Sequence, residues 1–108
     1  MFTADALQVA ADALAADVTE FSLHTAGDVS STSDEAASVA RVPASWTVVD
    51  GSLSAVPSFV GDPDLAVTRV GYWSAGGAFR GGQFTAAGTA LSGTGHLEVS
   101  VVESGFSV

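Results

Sequence analysis

Ser22, His24 and Asp28 are the residue types of a hydrolase triad, and they stand close together in the chain. A serine nucleophile needs a base that takes its proton and an acid that orients the base. Closeness in sequence does not supply that geometry, and the chain has no Gly-x-Ser-x-Gly motif to present a strained serine. We therefore expect no enzymatic activity.

Metal and cofactor sites are not expected either. The chain has no cysteine, and His24 and His96 are its only histidines, so a metal site would need carboxylates to join them across the fold. Asp62 and Asp64 lack the alternating ligand series of a calcium loop, and a turn is the better interpretation. The glycine-rich run at 71–84 has no phosphate-loop pattern and no lysine.

The composition is that of one folded domain. The 108 residues are 47% hydrophobic and 14% charged, which favours a single domain over the whole chain, 1–108. Twelve acids against three arginines and no lysine give a net charge of −9, which would repel a nucleic-acid backbone. The first fourteen residues lack a basic flank and contain two aspartates, so they predict neither a signal peptide nor a membrane span.

The N-terminus predicts a helix over about 3–17. Thr3 can cap it, and Phe2 and Leu7 occupy the two positions of a hydrophobic staple. Leu7 and Leu14 belong to a narrow apolar stripe with alanines around it. Such a helix must dock on something, so both leucines are predicted interface residues.

The remainder, about 18–103, predicts an antiparallel β-sandwich of about six short strands. Apolar Phe21 and Leu23 alternate with polar Glu20, Ser22 and His24, as in a half-buried first strand. Residues 25–38 predict a long exposed loop. Further strands are predicted on both sides of the Asp50-Gly51 turn, with a break or an edge at Pro57, and the alternation of Leu97, Val99 and Val101 predicts one closing strand.

The run at 71–84 is most simply the centre of a hairpin. Strands are predicted from Leu65 to Ser74 and from Ala78 to Ala86, and the glycines at 71, 81 and 82 indicate bulges or close approaches. Tyr72 and Trp73 must face opposite sides of the sheet. One is expected in the core and the other at the surface, at an interface or under the helix, so both are predicted interface residues.

The three arginines are each expected to have a carboxylate partner. Arg41 is predicted to pair with an acid of the long loop, Asp28 or Glu35, and so to fix that loop. Phe106, near the end of the chain, is predicted to anchor an interface, with a frayed tail as the equal alternative. The excess of apolar surface favours self-association or docking on a larger assembly.

The chain resembles a family of small phage virion proteins of the tail-fibre-like or capsid accessory type. The matching residues are Leu23, His24, Thr25 and Asp28, then Ala40, Arg41 and Val42, then Val67, Gly71, Tyr72, Gly76, Gly77 and Gly82. The resemblance covers most of the chain and implies a non-enzymatic structural role in the virion, assembled in the host cytoplasm. It does not decide between head and tail.

Our hypothesis at this point is a capsid accessory or decoration subunit, with a minor tail component as the alternative. The expected partners are other virion proteins, namely the major capsid protein or tail proteins, and further copies of the chain in a homo-oligomer. Binding to nucleic acid or to a membrane is not expected. The rival from another class is a carbohydrate-binding module, with Trp46, Tyr72 or Trp73 as the ring on which a sugar stacks.

Overall fold

The computed structural model describes residues 3–104, which form one helix followed by nine short strands. The helix α1 spans Ala4–Asp17, and the strands are β1 (Val18–His24), β2 (Val42–Pro43), β3 (Thr47–Val49), β4 (Ser52–Ala55), β5 (Ser58–Val60), β6 (Arg69–Ser74), β7 (Phe79–Phe84), β8 (His96–Glu98) and β9 (Val101–Glu103). All pairings between these strands are antiparallel. The predicted class, a mainly β, sandwich-like fold behind one N-terminal helix, is confirmed.

The helix begins and docks as its sequence predicts. The Thr3 hydroxyl accepts a hydrogen bond from the Ala6 amide at 3.1 Å, which satisfies one free donor of the first turn. Leu7 packs against Gly51, and the Gln8 side chain accepts from the Gly51 amide at 2.8 Å. The helix is thereby fastened to the turn between β3 and β4. The other half of the predicted staple, Phe2, lies outside the described residues.

One sheet has the strand order β2-β1-β6-β7. Within it the glycine-rich run is a hairpin, in which Gly77 takes the left-handed conformation with φ of +82°. A bulge follows, because Tyr72 pairs with Gly81 whereas Trp73 pairs with Phe79. Both features agree with the sequence interpretation.

The second layer is a long ribbon of two interrupted strands. β4 pairs with β9 and β5 pairs with β8, and both pairs keep one continuous register. β3 pairs with the other edge of β4. Pro57 has no N–H, and the ladder breaks there, although the Val99 amide still donates to the Pro57 carbonyl at 3.2 Å. The single closing strand predicted across Leu97 and Val101 is therefore wrong, because it is divided opposite this proline.

The core lies between the two layers. Phe21 and Val70 from the four-stranded sheet face Phe59 and Val101 from the ribbon, and all four are fully buried. Phe21 and Tyr72 meet Trp46 in edge-to-face contacts, with centroid separations of 5.0 to 5.9 Å among the three rings. This aromatic group closes the end of the core that lies nearest the helix.

Candidate functional site

The outer face of the two central strands of the four-stranded sheet, β1 and β6, is buried, which the sequence does not predict. Antiparallel register places Ser22 opposite Gly71 and His24 opposite Arg69 on that face. Ser22 and His24 are 1% and 0% exposed, because the chain from 25 to 35 folds over them. The interpretation of β1 as a half-buried strand is therefore wrong. We call Ser22, His24, Arg69 and Trp73 the polar layer.

A chain of hydrogen bonds runs through the polar layer and fixes its protons. The Ser33 carbonyl, 2.8 Å from His24 Nδ1, can only accept, so Nδ1 carries the hydrogen. Burial lowers the pKa of His24 below its usual value, which keeps the ring neutral near pH 7 and Nε2 free to accept. The Ser22 hydroxyl therefore donates to Nε2 at 2.6 Å and itself accepts from the Trp73 indole N–H at 2.8 Å.

This arrangement has half of the geometry of a catalytic serine. A hydroxyl hydrogen-bonded to a neutral imidazole is the pair that an acyl-transfer enzyme uses. However, both groups are sealed from solvent, and a backbone carbonyl stands where a triad has a carboxylate. Asp28 takes no part, because its side chain accepts from the Ser30 amide and hydroxyl at 3.2 and 3.3 Å. The pair links the sheet to the loop above it and meets no substrate in this conformation.

Arg69 binds the loop that covers the polar layer, between residues 26 and 33. Its guanidinium is completely buried and donates from Nε to Ala26 O at 2.8 Å, from Nη1 to Ser31 O at 2.5 Å and from Nη2 to Ser33 O at 2.6 Å. All three acceptors are carbonyls of the loop, so the expected carboxylate partner is wrong for this arginine. One rigid, planar cation thus fixes three points of the chain between 26 and 33.

Arg41 covers the Trp73 ring of the polar layer and binds Glu35. Its guanidinium carbon lies 3.7 Å from the centroid of the Trp73 ring, and its Nε and Nη2 each donate to Glu35 at 2.9 Å. This pair lowers the pKa of Glu35 and raises the pKa of Arg41. Of the two predicted partners, Glu35 is correct and Asp28 is wrong, because Glu35 forms a bridge to β1 at His24 whereas Asp28 caps its own turn.

A recess lies between α1 and the two layers. Its walls are Leu14, Val18, Trp46, Leu53, Tyr72, Arg80 and Glu103, which enclose about 270 Å³ and leave one side open to solvent. Most of this lining is apolar. We call this recess the cleft.

Two polar groups face each other in the cleft. The Tyr72 hydroxyl is buried, and no atom among residues 3–104 meets it with hydrogen-bond geometry. Burial and the nearby Glu103 carboxyl raise the pKa of Tyr72, and burial raises the pKa of Glu103. The Glu103 carboxyl is thus the close polar neighbour of the Tyr72 hydroxyl, and the interaction between them adds to the raised pKa of Tyr72. Arg80, the third polar group of the cleft, is held by Asp17 through bonds of 2.7 and 3.2 Å.

The predicted interface residues are divided between surface and interior. Leu14 lies at the rim of the cleft, and Leu7 is partly covered by the β3–β4 turn. Tyr72 and Trp73 are 6% and 7% exposed, so neither ring lies at the surface of the chain, and their role at an interface stays a prediction. Trp73 is covered by Phe79 and Arg41, and Tyr72 by the core. Phe106 lies outside the described residues.

The residues considered for metals remain apart. Asp62 and Asp64 form the predicted turn, in which Asp64 has φ of +62°, and His96 is exposed on β8. Within residues 3–104 no group of three or more His, Asp or Glu side chains could hold a metal ion. In the same part of the chain no helix is long and apolar enough to cross a membrane.

Sequence reasoning missed Arg69 and Glu103. The one available signal for Arg69 was its position at the start of an otherwise apolar strand, two residues before Gly71. Once β1 and β6 are paired, this position lies on the same face as Ser22 and His24. Glu103 carried no signal, because an acid next to Val101 and Val102 is common on an exposed strand.

No protein family, no curated protein and no solved structure matches this chain. The protein is a small, acidic, sandwich-like β domain with a closed polar layer and a mainly apolar cleft between α1 and the two layers.

Proposed function

We propose that the protein is a non-enzymatic structural subunit of a bacteriophage particle, in the first place an accessory or decoration subunit on the capsid surface. The link to a virion comes from the sequence resemblance to small phage virion proteins. The structure adds physical support for a role in assembly, since large apolar side chains stand exposed at a sheet edge.

The observation that carries the proposal is the edge formed by β7 and β9. β7 is the last strand of its sheet, and Phe84 at its end is 57% exposed. The Gln83 side chain reaches across to β9, donating to Ser100 O at 3.1 Å and accepting from the Val102 amide at 2.9 Å. Val102 is 52% exposed. Phe84 and Val102 are thus exposed apolar side chains on the outward sides of the two strands that Gln83 links. Exposed apolar side chains beside a sheet edge are a common docking surface for another chain.

The overall charge fits a protein displayed in many copies. A net charge of −9 keeps single subunits soluble before assembly, and repulsion between acidic surfaces restricts association to apolar contacts such as this edge. The tail component remains the alternative within the same class. Of the three rings considered for a carbohydrate-binding module, Tyr72 and Trp73 are buried and offer no exposed face for stacking. Trp46 is half-buried and packs edge-to-face with Phe21 and Tyr72, so this alternative ranks behind the virion proposal.

The test is co-sedimentation of purified protein with undecorated capsids, and separately with tails, of the phage that encodes it. The double variant Phe84→Ser, Val102→Ser should lose binding, because it removes the apolar edge without touching the core. The matched control is Val9→Ser, which alters a side chain on α1 that is 68% exposed. Light scattering of each variant reports whether self-association is lost together with binding.

The outcomes separate the alternatives. Binding to capsids that depends on Phe84 and Val102 supports the head assignment. Absence from capsids together with co-purification with tails overturns the head assignment in favour of the tail. A stable monomer that binds to neither particle overturns the virion proposal.

A further inference from the structure

Two buried basic side chains share one acceptor in the polar layer. His24 Nδ1 and Arg69 Nη2 both donate to the Ser33 carbonyl oxygen, at 2.8 and 2.6 Å. His24 and Arg69 are also cross-strand partners, and both are 0% exposed. This packing is favourable while the imidazole is neutral, because the two side chains then bring only one charge into the interior.

A proton on His24 Nε2 disrupts these contacts. Nε2 accepts from the Ser22 hydroxyl at 2.6 Å, so a protonated ring reverses that bond and leaves the hydroxyl hydrogen without its acceptor. The Trp73 indole N–H, 2.8 Å from Ser22 Oγ, is itself a donor and cannot accept that hydrogen. The ring would also carry a positive charge beside the Arg69 guanidinium, and both groups are buried away from water.

The other charges around His24 do not balance this additional cation. From β7 the ring meets the uncharged Phe79, at a centroid separation of 6.4 Å. The Glu35 carboxylate favours the proton, but both of its oxygens already accept from Arg41 at 2.9 Å. The charged groups around the ring are Arg69 on β6, Arg41 next to β2, Glu20 on β1, Glu35 in the loop and, exposed to solvent, Asp28 and Asp34 in the same loop. The two cations and the two inner acids cancel, so a proton on His24 adds an unbalanced charge to a buried site.

The loop that covers His24 has no apolar anchor. None of residues 25–35 is buried, and the first buried apolar residue after them is Ala36. The loop is fastened instead by polar groups, chiefly the three bonds from Arg69 and the bond from His24. It can therefore leave the sheet without exposing the hydrophobic core, so a local opening requires less free energy than global unfolding.

We propose that residues 25–35 form a proton-sensitive cover, which leaves the outer face of β1 and β6 when His24 takes up a proton, while the sandwich stays folded. The closed loop keeps the ring neutral, whereas the open loop exposes it to water. Because burial lowers the pKa of His24 in the closed state, opening should increase as pH falls below about 6.5, the ordinary pKa of histidine, and reverse as pH rises. The proposal does not depend on the role in the virion.

The test is hydrogen exchange of the full chain between about pH 7.5 and 5, the range in which histidine titrates. The Thr25 and Ser31 amides, which donate to Asp34 O and Asp28 O at 2.9 and 3.0 Å, report on the loop, and the Val70 amide reports on the sheet. After correction for the intrinsic exchange rate, loop protection should fall about tenfold per pH unit from about pH 6 to 5, because each opening takes up one proton. Protection of Val70 should stay about a hundredfold higher or more. Loop exchange should be insensitive to dilute urea, because a local opening exposes little surface.

Variants assign the proton to His24. His24→Gln keeps a donor and an acceptor but takes up no proton, so its loop protection should not change with pH in this range. The matched control is His96→Gln, which removes an exposed histidine on β8 and should retain the tenfold change. Thermal unfolding establishes that each variant is folded. NMR titration of the parent needs no variant, and in it the His24 ring signals and the loop amide signals should change with the same pH midpoint.

The outcomes separate local opening from other events. A pH-dependent loss of loop protection that is absent in His24→Gln, with Val70 still protected, supports the proposal. Equal protection of the loop and of Val70 at every pH overturns it, because the loop then opens only with the whole domain. Loop protection that is constant between pH 6 and 5, or that falls equally in His24→Gln, also overturns it. If His24→Gln does not fold, different midpoints for the His24 ring and the loop amides overturn the proposal, and one shared midpoint supports it.

Discussion

Replacing Arg69 by methionine removes three hydrogen bonds from a buried guanidinium to the loop carbonyls of Ala26, Ser31 and Ser33. Methionine is unbranched and of similar length, so it fills much of the same space without a charge. After the substitution the Ser33 carbonyl keeps the His24 Nδ1–H as a donor, whereas the other two carbonyls depend on water. The chain between 26 and 33 should therefore detach from the sheet more readily.

The magnitude follows from these contacts. A hydrogen bond that involves a charged group contributes about 1.5–3 kcal/mol net, and three of them are lost. Solvent can reach an exposed loop and recovers part of that loss, as does relief from burying a charge. We expect the free energy of unfolding to fall by about 2–4 kcal/mol, a large fraction of the ~5–15 kcal/mol typical of a domain.

The assay is urea unfolding combined with hydrogen exchange of the loop amides. The Ser31 amide, which donates to Asp28 O, should exchange faster in Arg69→Met than in the parent. The control is Arg80→Met, which breaks the exposed ion pair with Asp17 and should leave both measurements nearly unchanged. An unfolding midpoint and loop protection in Arg69→Met equal to those of the parent would show that Arg69 does not hold the loop.

Three further predictions concern the same interior and the sheet edge. Gly71→Ala should cost about 1–3 kcal/mol, because a Cβ there would lie 2.5 and 2.6 Å from Ser22 Oγ and His24 Nε2, whereas Gly76→Ala should be neutral in the same unfolding assay. The lowered pKa of His24 means that the unfolded chain takes up a proton first, so the free energy of unfolding should decline as pH falls below about 6.5. Above the pH range in which carboxyls such as Glu35 take up protons, that decline should persist in His96→Gln and disappear in His24→Gln. A decline in this range that survives in both variants contradicts the assignment. Gln83→Ala should cost about 0.5–1.5 kcal/mol and increase light scattering, because it uncovers the edge of β9; unchanged unfolding would contradict the bridging role.

Local chemistry made much of the fold predictable. The Thr3 cap and the Asp50-Gly51 turn depend on neighbours in sequence, and both appear as expected, with φ of +51° and +76° at the two turn residues. The break at Pro57 follows from its missing N–H. The structure has more strands than the sequence predicts for two reasons. Pro57 separates β4 from β5 and, on the opposite side of the ribbon, β9 from β8, and Val42 and Pro43 form the short strand β2 beside β1.

The candidate sites were less predictable, because they depend on segments far apart in the chain. Alternation in β1 correctly separated Phe21 and Leu23 from Ser22 and His24, but it could not show that residues 25–35 cover the polar side. Arg69 donates to carbonyl groups of residues that lie 36 to 43 positions earlier in the chain. Every residue has a backbone carbonyl, so the residue types in the loop do not reveal these acceptors. Glu103 became notable only when β9 placed it beside Tyr72.

We infer that the Ser22–His24 pair fastens the loop to the sheet rather than activating a nucleophile. Treatment of the folded protein with a fluorophosphonate, followed by mass spectrometry of the intact chain and its peptides, tests this directly. We expect no covalent adduct on Ser22, because this residue is 1% exposed. A stoichiometric adduct on Ser22 that is lost in His24→Gln would contradict it.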